Sequence, residues 1–257
     1  MQSVRTRIAA LSIAVALVAM GTGQAVAAFI NLTPQGGANN SATSVKLSDL
    51  IDEEVEGIIV GDKVFTGFSY SRIGLDMPLP VDVNVLGFRD PNGHWGVSFH
   101  GIFWDLPGNG PSDALLRFMV EVDPQAAAEG WRITDAHLFL GGAGVPNTDV
   151  STGEDSFISV DESFLEANEK LNTHLSSING GSQQLNDWVY FPQPLTKLSV
   201  TKDILAYASP NSTQPARATV IDQSFSQTKI PEPSTVALLG FALTAFGWFG
   251  YRSRSAN

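Results

Sequence analysis

Between residues 57 and 226 the chain breaks into short runs of alternating apolar and polar residues, and no long helical pattern separates one run from the next. KVFTGFSYSRI, VDVNVLGF, WGVSFHGIFW, ALLRFMVEV, WRITDAHLFL, LTKLSVTKDI and ATVIDQSFS each read as a strand with one face buried. Val81, Val83 and Val85 fall on one face of their run, and Leu116, Phe118 and Val120 on one face of theirs. Turn sequences such as RDPNGH and DLPGNGPSD lie between the runs, and the 24 glycines and 14 prolines supply many more turn positions. Consecutive strands joined by turns, without crossover helices, predict an all-β antiparallel sandwich, jelly-roll or immunoglobulin-like in wiring.

Two local helices are expected inside this frame. Ser48 precedes an apolar and acidic turn and predicts a short helix over 49–54. ESFLEANEKLNTHL, over 162–175, is rich in helix formers with acids early and predicts a second one. The segment after residue 28 is expected to be a loose lead-in or a first edge strand near 29–32.

Net charge narrows the partners. The terminal segments hold Arg5, Arg7, Arg252, Arg254 and the single acid Glu232, which leaves 11 basic against 25 acidic residues in between. Such a body repels nucleic acid and anionic headgroups, while neutral glycans and divalent cations stay available. The absence of cysteine removes disulfides, thiolate metal sites and a cysteine nucleophile, so the core alone must hold the fold.

Both ends are apolar, and they differ in kind. MQSVRTR followed by a run of about 13 apolar residues and small residues at Ala25 and Ala27 has the layout of a cleaved signal peptide over 1–27. At the other end residues 236–251 carry no charge and span about 24 Å as a helix, against about 30 Å of hydrocarbon. Arg252 and Arg254 would stop that helix at the cytoplasmic side. Pro231, Glu232, Pro233, Ser234 and Thr235, then the apolar run, then the arginine pair, resemble the PEP-CTERM sorting signal of exosortase substrates over 230–257. The resemblance implies export through signal peptidase, a transient inner-membrane anchor, cutting by exosortase, and delivery to the surface or extracellular matrix of a Gram-negative, exopolysaccharide-making bacterium. The same motif also goes by the name of an ice-binding protein C-terminal segment, which implies nothing about ice. GDKVFTGFSY, SDALLRFMVEV, ITDAHLFLGGAG and LSVTKDI further resemble an ectodomain type found in such proteins, placed here over 28–229.

No catalytic motif appears in the body, and no cofactor site is expected. His94, His100, His137 and His174 show no metal-ligand spacing; a strand would hold His94 and His100 about 20 Å apart, so they are read as solvated. Gly141, Gly142 and Gly144 follow a strand without opening a helix and read as a turn. Acids gather at Asp52, Glu53, Glu54 and Glu56 and again at Asp149, Glu154, Asp155, Asp161 and Glu162, both read as solvated charge. Asp149, Ser151 and Asp155 make a weak calcium candidate, with Gly153 misplaced for an EF-hand loop. Period two assigns Trp95, Phe99 and Phe103 to one face, as core, and Trp104 to the other. The expectation is a non-enzymatic surface or biofilm-matrix protein associated with exopolysaccharide. A polysaccharide hydrolase using paired carboxylates and a calcium- or glycan-binding adhesion module are the alternatives.

Overall fold

The structure is a computed structural model that describes residues 28–52, 55–149 and 151–231. Along the chain its strands are β1 (Ala28–Asn31), β2 (Asn40–Lys46), β3 (Val55–Val60), β4 (Lys63–Ile73) and β5 (Asn84–Arg89). There follow β6 (Trp95–Asp105), β7 (Ser112–Val122), β8 (Trp131–Gly141), β9 (Phe157–Phe164) and β10 (Glu169–Ser176). The last are β11 (Ser182–Gln184), β12 (Asn186–Leu195), β13 (Lys197–Tyr207) and β14 (Ala216–Lys229). Among the described residues there are also two short helices, α1 (Leu47–Ile51) and α2 (Pro124–Ala128), and two single turns of 3-10 helix.

The strands form two sheets, ordered β1-β3-β4-β7-β13-β9-β10-β11 and β12-β8-β14-β6-β5-β2. From β6 to β9 and again from β11 to β14 the chain changes sheet at each connection. One hydrophobic core lies between the sheets, closed by phenylalanines that touch across it: Phe99 and Phe118 at 5.8 Å between ring centroids, Phe164 and Phe225 at 6.5 Å, Phe164 and Phe191 at 5.2 Å. Alternation does the sorting. On β7 Ala114, Leu116, Phe118, Val120 and Val122 all point inward, as their spacing requires.

Four expectations need correction. Pairing is antiparallel except between β1 and β3, which run parallel. Residues 162–175 form no helix: they end β9, turn at Leu165–Asn168 and continue as β10. Asn168 takes the turn's left-handed conformation at φ 54, and Glu166 accepts hydrogen bonds from the backbone and hydroxyl of Ser199 at 2.6 and 2.7 Å. Helix α1 begins at Leu47, ahead of Ser48, because Leu47 and Leu50 must both reach the core; the Ser48 hydroxyl donates to Asp49 and caps nothing. Val81 lies in a 3-10 turn and is exposed, so only Val83 and Val85 share a buried face.

A fifth correction is chemical. Glu162, read as solvated, occupies a core position on β9 opposite Lys202 of β13, and its carboxylate lies 2.7 Å from the Lys202 ammonium. Neither side chain has any exposed surface. Lys202 also donates across the core to Gln223 of β14, tying the two sheets together.

Candidate functional site

Strand register, more than local sequence, assembles the outer face of the six-stranded sheet. Trp188, His137, Ser224, Gly96 and Phe88 form one row across β12, β8, β14, β6 and β5. Asn186, Phe139, Asp222, Ser98 and Leu86 form the next. Gly96 leaves the first row without a side chain at its middle, and it cannot be otherwise: a Cβ there would lie 1.7 Å from the Gln223 carbonyl oxygen. The turn over residues 90–93 walls one side. The result is a groove of about 380 Å³, with Trp188 and Tyr190 packed edge to face at 5.0 Å on the exposed edge strand.

This face carries polar groups that point away from the core and are still shielded from water. Ser98 is 0% exposed, Ser224 2%, Asp135 5% and Asp222 9%. Groups like these must find partners, and they do so in three clusters. His94 Nδ1 lies 2.9 Å from Asp90 Oδ2, which also accepts from the Ser224 hydroxyl at 2.9 Å. His137 Nε2 lies 3.0 Å from Asp135 Oδ1, which also accepts from the Ser226 backbone N–H at 3.1 Å and from its hydroxyl. The two imidazoles stack at 5.2 Å. In the third cluster His100 Nε2 lies 2.7 Å from the Ser98 hydroxyl oxygen, and that hydroxyl donates to Asp222.

Titration follows from these contacts. Burial alone would raise Asp90 and Asp135, but the donors around each more than reverse it and hold both below the usual carboxylate range. Hydrogen bonding to Asp135 raises His137 against the effect of its burial. Asp222 goes the other way, raised by burial that Ser98 only partly offsets. Serine, histidine and aspartate thus meet three times, in an order unsuited to nucleophilic attack. A carboxylate stands between serine and histidine in two clusters, and in the third the serine proton is given to Asp222. The arrangement fixes acceptors and donors along a groove with aromatic walls, which is chemistry for holding a hydroxylated ligand.

The residues singled out in the sequence fall elsewhere, with three exceptions. Asp149 Oδ1 accepts from the Ser151 N–H and hydroxyl at 2.8 and 2.6 Å, which hold its carboxyl well below the usual range, while Asp149 Oδ2 accepts from Asn211. Asp155 belongs to a separate set with Thr148 and Ser177. Among the described residues no three acidic or histidine side chains converge as a metal site. Asp52 and Glu56 lie apart from the groove, and Glu53 and Glu54 lie outside the described residues. Phe99 and Phe103 are core and Trp95 packs on it, with the Arg89 guanidinium 4.8 Å above its ring, while Trp104 lies on the outer face. The exceptions are His137, which lines the groove, His94, whose ring stacks on that of His137, and His100, which lies against Ser98 beside Asp222. None is the isolated, solvated histidine expected. Asp90, Asp135, Asp222, Ser224 and Trp188 had no sequence signal of their own, since their partners lie on other strands.

Of the terminal features, Ala25, Ala27, Glu232, Pro233, Ser234, Thr235, Arg252, Arg254 and the apolar run 236–251 lie outside the described residues; Pro231 is exposed just past β14. No helix among the described residues is long and apolar enough to cross a membrane.

No family model matches the sequence, and no curated protein matches it. Among solved structures the chain is similar to the enzymatically active domain of tailspike protein 4 of bacteriophage CBA120, at 10% identity and TM-score 0.25, over 63% of this chain and 19% of the tailspike domain, so it spans about a fifth of that domain's length. It is also similar to TmCBM27, a carbohydrate-binding module described for specific mannan recognition, at 10% identity and TM-score 0.27, covering 75% of this chain and 100% of the module. A family 11 carbohydrate-binding module from Clostridium thermocellum matches at 6% identity and TM-score 0.17, over 75% and 96%. Scores this low leave the fold and the function to be read from the residues themselves.

Proposed function

We propose that this chain is an exported bacterial surface protein whose six-stranded sheet binds a glycan in the groove of its outer face. The observation that carries the reading is the combination of shielded outward carboxylates and hydroxyls, at Asp90, Asp222 and Ser224, with the exposed indole of Trp188 beside them. Sugar rings present just these two surfaces, a ring of hydroxyls and an apolar face, and a protein binds them by hydrogen bonds and aromatic contact. Binding is favoured over hydrolysis by paired carboxylates because the groove aspartates Asp90, Asp187 and Asp222 already accept hydrogen bonds from protein donors.

Delivery rests on the sequence. The leader over 1–27 fits signal peptidase, and Pro231, Glu232, Pro233, Ser234 and Thr235 ahead of the apolar run fit exosortase sorting from the inner membrane to the surface or matrix. A glycan-binding body is a reasonable cargo for cells that build an exopolysaccharide coat.

Affinity electrophoresis in gels containing neutral glucan, mannan or xylan tests the binding. Retardation in at least one gel, reduced at least tenfold in affinity by Trp188→Ala, is expected; free migration in all three sinks the reading. Sorting is tested by mass spectrometry of surface-released protein from cells with and without exosortase. Recovery of an intact YRSRSAN terminus from both would rule processing out.

A further inference from the structure

A second depression lies on the same outer face. It holds about 680 Å³ and is formed by β5, β6 and β14 under the segment 72–82. His100, Ile102 and Trp104 of β6 line it, with Leu75 and Leu79 from the segment above. Three of these apolar side chains are well exposed: Leu75 is 79% exposed, Ile102 50% and Leu79 46%. The overhanging segment is tied down. Asp76 accepts from the Leu106 N–H at 2.8 Å and from Asn109 at 3.0 Å, and Tyr70 donates to the Pro78 carbonyl at 3.0 Å.

The two depressions meet at one hydrogen-bonded chain. Asp222 lines the first and His100 the second, and the buried Ser98 hydroxyl joins them. Along β6 the distance from Gly96, in the row of Trp188, to Trp104 is about 27 Å at about 3.4 Å per residue. An indole therefore lines each of two depressions that follow one another along this face. Its charge is just as informative. The carboxylates Asp76, Asp82, Asp90, Asp187 and Asp222 lie along it. Arg72 is the arginine in the lining, and its Nη1 is already committed to the Met77 and Leu75 carbonyls at 2.8 and 3.4 Å. His137 and His100 are held by Asp135 and Ser98. Five carboxylates against Arg72 and the exposed Arg217, which lies opposite Trp104 on β14, leave this face net negative, which disfavours an acidic sugar.

Building on the glycan-binding reading, we infer that the ligand is an uncharged, extended polysaccharide bound along an internal stretch of its chain, from Trp188 across Asp222 to a second subsite at Trp104. A site for chain ends would be a closed pocket under one aromatic ring; this one has an aromatic ring near either end.

The test takes the polysaccharide that retards the full chain and measures calorimetric affinity for its hexasaccharide and its disaccharide. The hexasaccharide binds at least tenfold tighter, and Trp104→Ala removes that advantage while Trp188→Ala weakens binding throughout. Leu79→Ser, in the overhanging segment, lowers hexasaccharide affinity as well and serves if Trp104→Ala lowers the melting temperature. Equal affinity for the two sugars, or full hexasaccharide affinity in both Trp104→Ala and Leu79→Ser, overturns the inference while leaving glycan binding intact. Retardation by polygalacturonate as strong as by the neutral polymer overturns the charge assignment. Loss of all binding in the unmodified protein would instead remove the reading on which it rests.

Discussion

Between the sheets Lys202, Glu162 and Gln223 face one another with no exposed surface, whereas on the outer face Asp90, His94, Asp135 and His137 stand at the edge of a groove. Both groups pair charges, yet they titrate in opposite senses. In the core burial dominates: it raises Glu162 and lowers Lys202 against the pull of each other's charge, so both are driven toward neutrality. Glu162 Oε1 and Gln223 Nε2 have no protein partner at all among the described residues. On the outer face hydrogen bonds dominate, and Asp90, Asp135 and His137 are each driven toward their charged forms. The number of donors makes the difference: Asp90 and Asp135 each accept from an imidazole, a serine hydroxyl and a backbone N–H, whereas Glu162 has Lys202 alone. A sealed pair ties sheet to sheet; a pair at a groove keeps its charge where a ligand can reach it.

Removing one partner from the sealed pair should cost most. Lys202→Met leaves Glu162 in a dry core, and a loss of about 3–5 kcal/mol is expected in urea denaturation. Adding Glu162→Leu should recover most of that loss, since a well-packed apolar pair avoids the desolvation altogether. A single variant as stable as the parent would place Lys202 outside the core. On the outer face Asp135→Ala strips His137 and Ser226 of their acceptor, for a smaller loss of about 1–3 kcal/mol.

The pH dependence is weaker and has a defined sign. The folded pKa of His137 is raised above 6.5, so its contribution is complete below about pH 6.5 and is lost as pH rises through the raised value. Asp90 and Asp135 lie below 3.8, and their contribution is complete above that value and lost as pH falls through the lowered ones. Urea midpoints measured from pH 6 to pH 9 should therefore decline, and His137→Gln should flatten the decline; an unchanged slope would detach the imidazole from Asp135. Smallest of all is the exposed pair of Lys197 and Glu121, 2.7 Å apart, where Glu121→Gln should shift stability by less than about 1 kcal/mol. A larger shift there would undo the comparison, because solvent would then not be what separates the strong pair from the weak.

How well the sequence could be read depended on where each residue's partner lies. Strands such as β7 were legible because every second side chain is apolar and the alternation is local. The hairpin of β9 and β10 was misread as a helix because Glu162 breaks the apolar series of Ile158, Val160 and Phe164, and the lysine that justifies an acid there lies 40 residues further on. The groove was misread for the same reason. His94 and His137 come together only because β14 lies between β6 and β8, presenting Ser224 to Asp90 and Ser226 to Asp135. Trp104 was assigned to its face correctly, since that needed only period two, but nothing local said which loops would flank it.

By itself, then, the sequence determined the class of fold, most strands and the acidity of the body, all of which follow from composition and short-range period. Tertiary structure alone decided that a glutamate and a lysine share the core, that two distant histidines stack, and that Trp188 and Trp104 line two depressions on one face. Those outcomes depend on sheet order and register, which join residues far apart in the chain and leave no trace in the neighbourhood of either one.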